Sequence, residues 1–126
     1  MNVLVDTSVW IRFFAGTLES ADALRTLLVE ERVVGHELIY GELLIGDKGG
    51  RESALNSYQQ IRQTQPVPHS EVIAFVRKRT LHGRGIGWID VHLLASAVVA
   101  GCRLWTQDSR LAELALSLGV GYTPHK

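Results

Sequence analysis

The chain of 126 residues and 13.9 kDa is the size of one ordinary domain, and its 46% hydrophobic and 21% charged residues exclude a disordered or collagenous polymer. A single cysteine, Cys102, excludes an internal disulfide framework and a cysteine-rich zinc site. Thirteen Lys and Arg balance thirteen Asp and Glu, so net charge names no partner, although residues 1–63 carry six basic against nine acidic side chains and residues 64–126 seven against four.

In chain order, residues 3–5 form a short apolar run that reads as a buried strand, and its start lacks the basic lead of a secretory signal. Leu24, Leu27 and Leu28 recur at helical spacing. Residues 32–35 are a weaker strand candidate, and residues 38–45 read as a helix that contains Glu42. Val72, Phe75 and Val76 mark a further helix. Residues 89–100 are apolar nearly all round, as expected of a helix buried between the sheet and its neighbours. Residues 104–106 read as a second buried strand. Leu111, Leu114, Ala115 and Leu118 mark the last helix, and residues 121–123 are another weak strand candidate. The longest small and apolar run, residues 93–102, is interrupted by Ser96 and Gly101 and falls far below the ~18 residues of a membrane span. A cytoplasmic, membrane-free protein is the expectation.

Strands alternating with helices predict an α/β fold, a mostly parallel central sheet with helices on both faces, because parallel strands need crossover connections. One such domain should cover residues 1–126. Ligands in such sheets collect beyond the carboxyl ends of the strands, so the residues there are the first candidates for chemistry. Asp6 follows the first strand, and Asp108 follows residues 104–106 after one residue. Asp90 comes at the start of the buried helix, after the loop Gly83-Arg84-Gly85-Ile86-Gly87. Each of the three is also a plausible helix N-cap. Glu42 is different, because a carboxylate among apolar neighbours needs a cation, a hydrogen-bond network or a raised pKa unless it is simply exposed. Six residues beyond His36 is about 9 Å along a helix, so Glu42 reaches the strand ends only if its helix crosses over them.

Four segments, Val5-Asp6-Thr7-Ser8, Glu42-Leu43-Leu44-Ile45-Gly46, Ile89-Asp90-Val91-His92-Leu93-Leu94-Ala95 and Leu104-Trp105-Thr106-Gln107-Asp108, together resemble the PIN-domain family, and the short length resembles its VapC-type toxins. The resemblance implies an α/β/α sandwich and an Mg²⁺- or Mn²⁺-dependent endoribonuclease. It also implies an acidic site of Asp6, Glu42, Asp90 and Asp108, with Thr106 and Ser8 in support. An antitoxin protein covering the site and a homodimer follow from the same likeness. The turn Gly35-His36-Glu37 departs from the family pattern and makes Glu37 a rival to Glu42; Leu43 and Gly46 complete the motif around Glu42.

Carboxylates without clustered Cys or His are hard oxygen donors, a set that selects Mg²⁺ or Mn²⁺ over zinc. Asp6 and Asp90 are the expected direct ligands, Asp108 a direct or water-mediated one, and Glu42 the residue that orients a water or acts as base. Residues 72–89 hold Arg77, Lys78, Arg79, His82 and Arg84 without an acid. That stretch is either a solvated helix face or an RNA-facing arm, with Arg79 and Arg84 as the phosphate contacts. Three rival readings remain: a metal-free ribonuclease built on two of His36, His69, His82, His92 and His125, a non-catalytic RNA- or partner-binding module with a vestigial acidic pocket, and a phosphoaspartyl enzyme starting at Asp6-Thr7, against which stands Ser8 where a second aspartate is usual.

Overall fold

A computed structural model describes residues 1–124; His125, one of the five candidate histidines, lies outside the described residues. The architecture is the expected α/β/α sandwich. Strands β1 (Val3–Val5), β2 (Val33–Val34) and β3 (Arg103–Trp105) form a parallel sheet in the order β2-β1-β3, and seven helices surround it among the described residues. Val3 pairs with both Val33 and Arg103, so β1 is the central strand and its Val-Leu-Val run is buried on both faces. Each edge is extended by one further parallel bridge, Gly35 with Gln63 and Leu104 with Gly121. The expected strand at residues 121–123 is therefore reduced to a bridge, and the strand expected at residues 104–106 begins and ends one residue earlier.

The helices are α1 (Thr7–Ala15), α2 (Ala21–Val29), α3 (Glu37–Ile45), α4 (Glu52–Gln60), α5 (His69–Arg79), α6 (Trp88–Ala100) and α7 (Ser109–Ser117). Neither α1 nor α4 is anticipated by the periodicity of the sequence. The other five fall where the sequence places them; Leu118 lies just past α7 as its C-cap, half-buried against the core. α6 is the central helix: Leu93, Leu94, Ala95, Ser96 and Ala97 are all buried, and it packs on β3 and on α5. The main core joins the sheet valines and leucines to Trp10, Leu24, Ile39, Tyr58, Leu93, Trp105 and Leu111. A smaller cluster of Val67, Val72, Val91 and Ala95 fixes α5 against α6.

Two local devices position the acidic edge. The turn from β2 into α3 is Gly35-His36, where a side chain at position 35 would collide with Gln63, the bridging partner on that edge. His36 then caps α3, its Nδ1 accepting the Leu38 N–H at 3.0 Å, while its Nε2 meets Ser96 Oγ at 3.1 Å and its own N–H donates to Tyr58 Oη at 2.9 Å. This is the departure from the family pattern at residues 35–37: an imidazole does the work that Ser, Thr, Asp or Asn usually does at a helix N-cap. α3 starts rigidly from the end of β2 and runs beside α1.

Candidate active site

The carboxyl ends of β1 and β3 are locked together by a hydrogen bond from Asp6 N–H to Trp105 O at 2.8 Å. Asp6 caps α1 and is only 6% exposed. Its Oδ1 accepts the Thr7 N–H at 2.8 Å, and its Oδ2 accepts two hydroxyls, Thr106 at 2.7 Å and Ser8 at 2.8 Å. Ser8 and Thr106, the two predicted supporting residues, thus converge on one oxygen. Ser8 Oγ also receives the Gln107 N–H at 3.0 Å, and Thr106 Oγ1 receives the Asp108 N–H at 3.1 Å, so the whole 106–108 turn is braced against Asp6.

Asp108 caps α7, its Oδ1 accepting the N–H groups of Arg110 and Leu111 at 2.9 and 3.1 Å. Asp90 lies in the first turn of α6 and its Oδ2 accepts the Gly87 N–H at 3.1 Å. Glu42 Oε1 accepts the Thr7 hydroxyl at 2.7 Å, which draws it to the start of α1 and to Asp6. α3 therefore does pass alongside the strand end, as the reach of Glu42 requires, because it packs on α1. Glu37 makes no such contact; it is exposed and acts on His36 instead. Thr7 is the site residue that the sequence alone does not single out, although it stands inside the Asp6-Thr7-Ser8 run that marks the site.

Capping and site roles are not exclusive here. Each acid has at least one oxygen tied to the fold, and among the described residues no hydrogen bond engages Asp90 Oδ1, Glu42 Oε2 or Asp108 Oδ2. Nor does any Lys or Arg form an ion pair with one of the four; the ion pairs among the described residues are Arg25–Asp22 and Arg32–Glu30. The consequence is visible at Asp90, whose carboxyl pKa is pushed upward by burial and further by Asp6, Asp108 and Glu42, with the Gly87 N–H pulling the other way. Oxygen donors that crowd one another without a neutralising side chain suit a hard divalent cation. Among the described residues no group of three or more His, Cys, Asp or Glu is gathered closely enough to hold a metal ion by itself. A hard divalent cation needs only one or two carboxylates directly, its remaining positions being filled by water and phosphate.

The histidines are placed differently. His36 is fully buried and structural. His69 and His92 do meet, with ring centroids 6.3 Å apart and Trp88 about equally close to both at 5.1 and 5.0 Å. His92 and Trp88 are four residues apart and share a face of α6, whereas Asp90, two residues from each, points from the opposite side. Arg79 sits at the end of α5 with its guanidinium 5.9 Å from the Phe75 ring, and Arg84 lies in the loop beside Gly85. Trp105 is core, Tyr40 stacks on Tyr58, and Trp88 is 43% exposed.

The PIN domain family model matches residues 3–116, which is most of the chain. The chain is 42% identical over 120 residues to Ribonuclease VapC32 of Mycobacterium tuberculosis, in both strain CDC 1551 / Oshkosh and strain H37Rv, and the match covers 94% of each protein. Its fold also matches the crystal structure of PAE2754 from Pyrobaculum aerophilum with a TM-score of 0.56 at 18% identity, covering 94% of this chain and 96% of that one. With the sandwich, the acid order along the chain and these matches in agreement, the chain belongs to the PIN-domain family, among its VapC-type members.

Proposed function

We propose that this protein is a divalent-metal-dependent endoribonuclease, the toxin of a toxin–antitoxin pair, which stops translation by cutting RNA. The observation that carries the reading is the edge itself: four carboxylates from four places in the chain, three of them with an oxygen that no hydrogen bond engages and none paired with a basic side chain among the described residues.

Asp6, Asp90 and Asp108 are the residues that would hold Mg²⁺ or Mn²⁺. When bound, such a cation lowers the pKa of a coordinated water and neutralises charge on the scissile phosphate. Ser8, Thr106 and the Thr7 N–H fix both oxygens of Asp6, so its carboxylate keeps one orientation as substrate arrives. Glu42, held by Thr7, orients the attacking water and takes its proton. Attack by water and not by the 2′-hydroxyl leaves a 5′-phosphate and a 3′-hydroxyl.

The antitoxin covers this edge. A mostly apolar cavity of about 130 Å³ is lined by Ile11, Phe14, Leu43 and Leu55 together with Glu42, Asp47 and Arg51. It suits an amphipathic segment that would seal the acids from RNA. We further propose a homodimer that works in the cytoplasm; no helix among the described residues is long and apolar enough to cross a membrane.

The test is cleavage by the free protein of structured RNA in Mg²⁺ or Mn²⁺ and in excess chelator. Activity lost in chelator and regained with the cation supports the reading. Full activity in chelator would transfer the chemistry to the histidines, and an inert protein that still binds its partner would make it a binding module.

A further inference from the structure

An edge made of four carboxylates repels RNA, so positive charge must stand beside it, and the sequence directs attention to Arg79 and Arg84. Two other arginines are built more directly into the edge. Arg12 lies one turn beyond Ser8 on α1, and its Nη1 donates to Gln107 Oε1 at 2.6 Å. Gln107 is itself fixed, because its N–H donates to Ser8 Oγ, the hydroxyl that donates to Asp6. Arg110 follows Asp108 by two residues, and its N–H donates to Asp108 Oδ1. Its side chain lies flat on Gly85, in the loop leading to Asp90: a Cβ at Gly85 would stand 2.6 Å from Arg110 Nη1 and 3.1 Å from its Cδ. With φ at +78° as well, position 85 admits only glycine at low cost.

Neither guanidinium forms an ion pair among the described residues, and both side chains are exposed. That is unusual company for four carboxylates. A guanidinium that neutralised the acids would fold onto them. Arg12 is instead held away by a neutral amide, and Arg110 is spread on a glycine. Each keeps most of its five donors for something else. A phosphodiester matches that donor fork, and guanidinium is the side chain best suited to grip it.

We infer that Arg12 and Arg110 are two phosphate grips flanking the acidic edge, with Gln107 as the residue that positions Arg12, so that RNA crosses the carboxylates held by backbone phosphates on either side. The inference rests on the nuclease reading. Such grips hold RNA by its backbone and carry no base information of their own.

The test compares wild type with Arg12→Gln, Arg110→Gln, the double variant of these two and Gln107→Ala, with Gln107→Ala also placed in the Arg12→Gln background. Cleavage kinetics of a fluorescently labelled single-stranded RNA oligonucleotide are followed over a series of NaCl concentrations in Mg²⁺. RNA affinity is measured in an Asp90→Asn background that does not cut. Each arginine variant should raise KM roughly tenfold with little change in kcat, and lower the salt slope by about 0.7 for each phosphate it no longer neutralises. Gln107→Ala should raise KM less than Arg12→Gln, keep the wild-type salt slope because the charge remains, and add nothing when combined with Arg12→Gln. All these proteins should melt together, since the altered side chains are exposed. A wild type that cuts while the double variant keeps its KM and salt slope overturns the grips and leaves the nuclease standing. Loss confined to kcat with RNA affinity unchanged also overturns them. A wild type that cuts no RNA overturns the nuclease reading itself.

Discussion

Asp6 is a helix cap and, in the function proposed above, a site carboxylate as well, and the two roles respond differently to substitution. Asparagine caps nearly as well as aspartate but carries no charge. Glu42 and Glu37 separate the same way: Glu42→Gln should depress turnover at least tenfold, while Glu37→Gln, whose side chain touches nothing in the edge, should cut at close to the wild-type rate in a steady-state assay. Thr106→Val removes a 2.7 Å hydroxyl from Asp6 Oδ2 and one acceptor from the Asp108 N–H. Loss of such a ligand-orienting hydrogen bond costs about 10- to 100-fold in metal affinity or activity, to be read from the Mn²⁺ dependence of cleavage. His36 gives a different kind of prediction. Burial lowers its pKa below the ordinary 6.5, with Glu37 opposing the shift and His92 adding to it. Its neutral form must accept from Leu38 N–H. The unfolded chain therefore takes up a proton first as pH falls. The stability this histidine provides is complete above about pH 6.5 and declines by at most ~1.4 kcal/mol per pH unit below it, until the folded imidazole also titrates. Melting curves between pH 7.5 and 5 should show that decline, and His36→Asn, which keeps a capping side chain, should flatten it.

Among the elements, those with a clean apolar stripe or a continuous apolar run are the ones the sequence makes readable. β1 and α6 announce themselves as continuous apolar segments, β1 because it is buried throughout and α6 because its middle, from Leu93 to Ala97, is buried, although Trp88 and Val99 on the same helix are exposed. α1 does not, because its Thr-Ser-Val-Trp-Ile-Arg-Phe-Phe run is dense in β-branched and aromatic residues that read equally well as strand, although the helix has a polar side at Ser8 and Arg12. α4 fails for the opposite reason: of its nine residues only Leu55 and Tyr58 are buried, too few to reveal a stripe. The acids at the strand ends are legible from topology, since parallel strands put their carboxyl ends on one side. The place of Glu42 is not, because it depends on how α3 packs against α1, and the pairing of Arg12 with Gln107 spans 95 residues of sequence. The α5–α6 connection is the element with the most to test. Arg79 rests on Phe75 and Arg84 precedes the Gly85 seat of Arg110. Replacing Arg79 and Arg84 together with alanine should weaken RNA binding, and the salt dependence of a binding titration on a single-stranded RNA should flatten by roughly 0.7 for each phosphate released. An unchanged slope would return the stretch to a solvated helix face.

At the scale of the whole molecule, the sandwich serves as a frame that forces like charges together. Two parallel strands deliver Asp6 and Asp108, one buried helix delivers Asp90, one neighbouring helix delivers Glu42, and no basic side chain among the described residues pairs with them. Such an arrangement is unfavourable for the isolated fold and favourable for cation binding, so folding and activity should move in opposite directions when a charge is removed. The measurement that tests this most directly is to follow cleavage of one RNA in Mn²⁺ and thermal unfolding in chelator for wild type, Asp6→Asn and Asp90→Asn. Both substitutions should reduce cleavage by at least about a hundredfold, while metal-free melting temperatures stay level or rise because repulsion is relieved. Variants that cut RNA at the wild-type rate, or that lose cleavage only because they melt several degrees lower, would contradict the account and leave these carboxylates as helix caps.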